Sequence, residues 1–392
     1  MRSYRDLFRT PEFTPFFLAA SAQQVAQTMG NLALGILVYR ATGSPLLSAV
    51  SMFGSSLVQV LGATFLLSAA DRLPPRAALT AVSLLFAAAT AALALPGLAV
   101  WAVLAIVVAK GLVESVGGGV RWGLLNEIVS KDGYLLGRSV FNMMSGLMQI
   151  TGYATGGALV ALLSPRLSLL VAAALYATAA AVVRLGLTRR PPRTTGRPSV
   201  SATWRANALL WSSPPRRRVY LALWVPNGLV VGCESLYVSY APASAGTLFA
   251  CAAFGMLAGD VLVGRVLPPG PRSRLGFPLL LLLALPYVPF FLHPALPLAA
   301  AAVTLASVGF GAALVQQERL VALTPDDLTG HALGLHSAGM LTMQGVAAAL
   351  AGSLAQLTSP AWAMTAMAGA SVGVTLLLRG AAGRAELKTV PC

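Results

Sequence analysis

Twelve runs of predominantly apolar residues, most about 20 residues or longer, alternate with short polar breaks along the chain. In the first half they cover about 14–39, 45–70, 77–95, 98–122, 138–163 and 166–188, and in the second about 217–241, 244–266, 275–293, 297–322, 331–357 and 360–379. At about 1.5 Å per residue such a run crosses roughly 30 Å of hydrocarbon as an α-helix, with every backbone hydrogen bond made inside the segment. The pattern predicts an all-α integral membrane protein of twelve transmembrane helices.

The polar breaks repeat. Arg72-Leu73-Pro74-Pro75 with Arg76 returns as Arg265-Val266-Leu267-Pro268-Pro269 with Arg272, an offset of 193 positions (265 − 72). The same offset relates Gly137 to Gly330 and Gly146 to Gly339, each pair following a short loop that contains Asp132 or Asp326. A period near half the chain predicts two pseudo-symmetric six-helix halves, residues 1–188 and 217–392. Between them, residues 189–216 form a basic linker that opens with Arg189-Arg190-Pro191-Pro192-Arg193. Inside it Trp204, Ala208 and Trp211 share a helical face beside Arg205, which suits either a short helix on the membrane surface or a solvated linker.

Composition removes the soluble alternative, since 57% hydrophobic residues, 10% charged residues and a mean hydropathy of +0.76 lie far from a soluble domain's balance. A net charge of +15 suggests nucleic acid in a soluble chain, but here the basic residues are dispersed. With the amino terminus inside, 24 of the 27 fall in cytoplasmic segments, leaving Arg40 and Arg166 outside and Lys110 within a span. Both termini and the linker are therefore expected in the cytoplasm, with anionic lipids as partners of the arginines and no nucleic acid. Met1 to Phe13 is polar and the first apolar run is too long for a signal core, so that run is read as an anchor. Arginines far outnumber the three lysines, as in a high-GC bacterial gene, and the expected location is a bacterial cytoplasmic membrane. Cys233, Cys251 and Cys392 have neither metal-ligand nor disulfide spacing. No zinc-binding histidine pair, P-loop or nucleophile elbow occurs, and a non-enzymatic monomer without cofactor is expected.

With only 12 acids in the chain, a carboxylate inside a span is a functional candidate, and Glu114, Glu234 and Asp260 qualify. Lys110 lies one turn from Glu114 on the same face, either as its neutralising ion pair or as part of a proton- or substrate-binding site. Glu234 follows Asn227 by seven residues on nearly the same face, with no basic residue close by in its own helix. A carboxyl so placed is either a group that takes up and releases protons, the property a proton-coupled carrier needs, or a protonated acid hydrogen-bonded to a neighbouring helix. Gln23, Gln27 and Asn31 form an amide stripe at i, i+4 and i+8 of the first run, expected to line a cavity together with Asn227. Gln59, Gln149 and Gln344 read as interhelical glue, Glu318 with Arg319 as a solvated surface pair, and His331 and His336 as solvated. Gly152, Gly156 and Gly157, and likewise Gly255 and Gly259, have the small-xxx-small spacing of closely packed helices.

In its twelve runs, two halves and basic central loop the chain resembles the major facilitator superfamily over nearly its full length. The loop after the second run resembles the family's Gly-x-x-x-Asp-Arg-x-Gly-Arg signature through Asp71, Arg72 and Arg76, and departs from it at Leu67, Pro74 and Pro75. Gly152-Tyr153-Ala154-Thr155-Gly156-Gly157 is similar to the Gly-Pro-x-x-Gly-Gly element of the exporting antiporters, with Tyr153 in place of the proline. The chain is most similar to bacterial drug and siderophore exporters of that superfamily. This implies a drug:proton antiporter that expels a hydrophobic or amphipathic small molecule from a central cavity lined by spans one, four, seven and ten. Relatives with a carboxylate in span one imply that Glu114 or Glu234 replaces it here. Asp71, Arg72 and Arg76, with Asp260 and Arg265, are the expected cytoplasmic gate. A nutrient or metabolite importer of the same fold is the near alternative, and a non-transporting sensor or scaffold the distant one.

Overall fold

A computed structural model describes residues 4–70, 73–129, 134–192, 200–325 and 328–387, and among these every regular element is helical. After a short turn of helix at Tyr4–Phe8 come α1 (Phe13–Thr42), α2 (Pro45–Ala70), α3 (Pro75–Leu93), α4 (Val100–Ile128), α5 (Tyr134–Leu162) and α6 (Pro165–Gly186). The linker contributes α7 (Val200–Ser212). The remainder holds α8 (Pro214–Ser235), α9 (Ala245–Val261), α10 (Gly276–Ala284), α11 (Leu296–Val308), α12 (Ala312–Ala322), α13 (Thr329–Leu357) and α14 (Pro360–Leu387). A 3₁₀ segment, Leu285–Leu292, prolongs α10.

Eight helical stretches among the described residues are long and apolar enough to cross a membrane, and the chain is a multi-pass integral membrane protein, in keeping with a bacterial cytoplasmic membrane. α1 is long enough at 30 residues, but its glutamines and Asn31 hold its hydropathy below that of the eight. Several starts are written locally. Pro75, Pro165 and Pro214 occupy the first turn of their helices, where the missing N–H has no partner to lose. Ser164 caps α6 by accepting from the Leu167 amide at 3.1 Å. α1 ends at Gly43, whose φ of 65° lets its amide turn back to Tyr39 O.

The chain divides into two compact units. Unit 1 comprises Met1–Gly43, Gly54–Pro198 and Pro242–Ala250, and unit 2 comprises Ser44–Phe53, Ser199–Ala241 and Cys251–Cys392. In unit 1, α1 packs on α5 and α6, and α3 on α4 and α6. Phe13, Phe16 and Phe141 sit in a cluster with Leu7, Leu124 and Leu125. Gly152 and Gly156 of α5 lie against the backbone of α1 at Val25 and Met29, and Gly157 lies against Gly246. In unit 2, α8 packs on α13 and α14. Gly255 and Gly259 of α9 face the backbone of α11 at Thr304 and Val308, where a side chain has no room.

The start of the linker is tied to unit 1. Glu12, just before α1, accepts hydrogen bonds from Thr188 Oγ1 and Arg190 Nη1, both at 2.6 Å, and Arg190 Nε also lies 3.6 Å from Glu127 at the end of α4. Burial alone raises the Glu12 carboxyl, but the hydrogen bonds from Thr188 and Arg190 and the charge of Arg190 outweigh it and hold the group below its ordinary 4.5. A depressed carboxyl stabilises the fold above its unfolded value, and the contribution disappears as pH falls through the folded one. Wild-type protein in detergent is therefore expected to lose about 0.5–1 kcal/mol more than Glu12→Gln between pH 7 and pH 3. Tm measured across that range checks this; parallel curves would show that the contact contributes nothing.

Candidate functional site

The polar face of unit 1 is built by three helices. Gln27 Nε2 of α1 donates to Glu114 Oε1 of α4 at 2.6 Å. One turn earlier on α1, Gln23 Oε1 accepts from Arg121 Nη2 of α4 at 2.8 Å, and Gln23 Nε2 donates to Ser83 Oγ of α3 at 2.5 Å. Position rises on α1 as it falls on α4, so two antiparallel stripes are joined rung by rung. The amides at i and i+4 thus hold charged groups of the neighbouring helix. Asn31, the third member of the stripe, is partly exposed and makes no hydrogen bond among the described residues.

Lys110 and Glu114 do not form an ion pair within 4 Å, so the neutralising pair entertained from their spacing is not what holds them. Lys110 Nζ donates to Thr90 Oγ1 at 3.2 Å and lies 5.5 Å and 5.6 Å from the ring centroids of Phe86 and Tyr176. Aromatic faces attract a cation without discharging it. The Tyr176 hydroxyl is buried and has no hydrogen-bond partner among the described residues. Lys110, Glu114 and Arg121 fall on one face of α4, being four and seven residues apart. α1, α2, α3, α5 and α6 carry no acid, and Glu127 at the far end of α4 is engaged by Arg190. Two cations and one carboxylate therefore share this face.

Unit 2 holds the other carboxyl. Glu234, near the end of α8, is 6% exposed, and its Oε1 is buried without a hydrogen-bond partner among the described residues. Tyr237 and Tyr287 hydrogen-bond to each other through their hydroxyls and lie within its electrostatic reach. Cys233 beside it donates to Met364 O at 3.3 Å. Asn227, two turns back, accepts from Gln344 Nε2 of α13 at 2.9 Å and borders a narrow cleft with Gln316, Leu280 and Phe310.

Of the expected cytoplasmic gate, Asp71 and Arg72 lie outside the described residues. Arg76 is in the first turn of α3, with a buried Nε that has no partner among the described residues. Asp260 is exposed near the end of α9, and Arg265 belongs to the π-helical turn that follows. Glu318 pairs with Arg272 rather than with Arg319, because its own helix turns it toward the short helix that precedes α10. His336 is buried, not solvated, and contacts Gln317 at 3.2 Å.

A sequence model of the Major Facilitator Superfamily matches residues 16–317, more than three quarters of the chain. The chain belongs to the Major Facilitator Superfamily. Solved structures of the same fold include a POT family transporter in complex with a thioalcohol-conjugated peptide (TM-score 0.74, 11% identity, 95% of this chain and 96% of the other). Others are a bacterial homologue of the human lysosomal transporter Spinster (0.73, 14%, 94% and 95%) and the nucleoside transporter NupG (0.72, 12%, 94% and 98%). At such identities the likeness is one of fold, and it is a likeness to transporters, not to enzymes. No curated protein sequence matches the chain.

Arg121, expected only as one of the cytoplasmic basic residues at the end of the run 98–122, lies inside α4, which continues to Ile128. Its spacing from Lys110 and Glu114 was the available signal. Tyr176 carried none, since its place beside Lys110 arises only from the packing of α6 on α3.

Proposed function

We propose that the chain is a proton-coupled secondary transporter that takes up a small organic anion across a bacterial cytoplasmic membrane. In this reading twelve spans form two six-helix halves that work by alternating access. The charge balance of α4 carries it: two cations, Lys110 and Arg121, share the field of one carboxylate, Glu114, and Lys110 makes no ion pair with it, its direct contacts being a hydroxyl and two aromatic faces. A cation left over in a membrane span is costly, and an anionic solute supplies the missing charge. Glu234, buried without a cation within 4 Å among the described residues, supports the proton-carrying role, because a protonated carboxyl avoids the cost of a buried charge. The likeness to peptide and nucleoside transporters supports metabolite uptake over the drug or siderophore export implied by the sequence resemblance.

The test is reconstitution into liposomes that contain a pH-sensitive dye, with an outward-to-inward proton gradient and a panel of amino acids, dipeptides, monocarboxylates, nucleosides and lipophilic dyes. One class of carboxylate is expected to accelerate acidification of the lumen. Expulsion of a preloaded lipophilic dye, with no response to any carboxylate, would restore the export reading.

A further inference from the structure

A single residue, Ser213, separates α7 from the proline that opens α8, so the carboxyl end of α7 is held where a membrane span begins. Its inner side is locked into unit 2. Leu210 is fully buried in a cluster with Tyr220 and Leu223 of α8, Leu320 of α12 and Ala332 of α13. Trp211 stacks on Trp224 with centroids 5.5 Å apart and planes 8° from parallel, and Trp224 donates its indole N–H to His336 O at 3.0 Å. Arg216 reaches back to Leu209 O at 3.2 Å. These contacts fix the rotation of α7 and hence what it turns outward.

At about 100° per residue, Trp204, Arg205, Ala208, Leu209 and Ser212 share the side away from Leu210. All five are exposed, Trp204 by 63% and Leu209 by 55%. Arg217 is exposed in the first turn of α8, and residues 189–218 contain no acid. Indole and leucine beside guanidinium, on a helix fixed at the mouth of a span, match the boundary between headgroups and acyl chains: the apolar groups enter it while arginine binds phosphate. We propose that the outward face of α7, with Arg217, docks anionic phospholipid of the cytoplasmic leaflet. Lipid bound there braces the cytoplasmic ends of α8, α12 and α13 through Leu210 and Trp211.

The experiment measures Tm of the purified full-length protein in detergent with phosphatidylglycerol or phosphatidylcholine at equal mole fraction. Phosphatidylglycerol is expected to raise Tm by several degrees more than phosphatidylcholine. The variant Trp204→Ser, Arg205→Gln, Arg217→Gln should keep its Tm in phosphatidylcholine and lose most of that difference. Leu210→Ala should lower Tm in both lipids and shrink the difference, since the link from face to core is cut. A second arm uses brominated phosphatidylglycerol, which should quench a smaller share of the fluorescence of Trp204→Phe than of wild type. Equal Tm of wild type in both lipids, a full difference in the triple variant, the same shift from inorganic phosphate, or quenching unchanged by Trp204→Phe would overturn the proposal.

Discussion

Glu234→Gln is expected to abolish accumulation of solute against its gradient while leaving solute exchange intact. Glutamine keeps the shape of the side chain and a neutral hydrogen-bonding end, so a site that needs only a polar group is undisturbed. What disappears is the proton. If one proton moves with each solute, a pH difference of one unit is worth about 1.4 kcal/mol and supports about tenfold accumulation. Reconstituted wild type should approach that ratio for the carboxylate that drives acidification, and Glu234→Gln should stop at equal concentrations inside and out. Exchange of labelled for unlabelled solute, measured without a pH gradient, should proceed in both. Tenfold accumulation by the variant would remove Glu234 from the coupling and leave Glu114, the other carboxyl in a polar face, as its replacement. Loss of exchange as well would make Glu234 part of the solute site.

The helical, membrane-spanning character was readable from the sequence because hydrocarbon thickness imposes a length that apolar runs must meet. The side of α1 that carries Gln23 and Gln27 was readable for a similar reason, since a period of 3.6 residues orients it before any partner is known. Their partners were not. Gln27 meets Glu114 across 87 positions and Gln23 meets Arg121 across 98, pairings that depend on how α1 and α4 pack. Where a local rule competed with packing, packing won: Glu318 has Arg319 next to it in sequence and Arg272 next to it in space. His336 lies in the third turn of α13, close enough to its start to suggest solvent, yet the indole of Trp224 bonds to its carbonyl and the side chain is buried. Arg121 shows the converse, since a charge at the end of an apolar run drew attention only to topology, although its helix runs on for two more turns and turns the guanidinium to Gln23.

Lys110→Gln provides the opposite test from Glu234→Gln, because it removes the charge that the solute is proposed to neutralise. A lysine retained for stability would be missed on removal: breaking a buried ion pair typically costs about 3–5 kcal/mol and lowers Tm. Lys110 has no such pair within 4 Å, only Thr90 and the faces of Phe86 and Tyr176, and its glutamine replacement can still reach the threonine hydroxyl. Tm of Lys110→Gln is therefore expected to equal or exceed that of wild type, while affinity for the anionic solute falls. Truncating one partner of a desolvated charge pair costs about 2–5 kcal/mol, so the loss should be at least about 30-fold. The neutral amide analogue of the same solute should bind wild type and Lys110→Gln alike, which separates loss of charge complementarity from general damage to the site. Unchanged affinity for the anion at unchanged Tm would show that Lys110 is discharged in some other way and would remove the argument for an anionic substrate. A large fall in Tm would return Lys110 to a structural role, with Arg121, already hydrogen-bonded to Gln23, left as the other cation of α4 that a solute could meet.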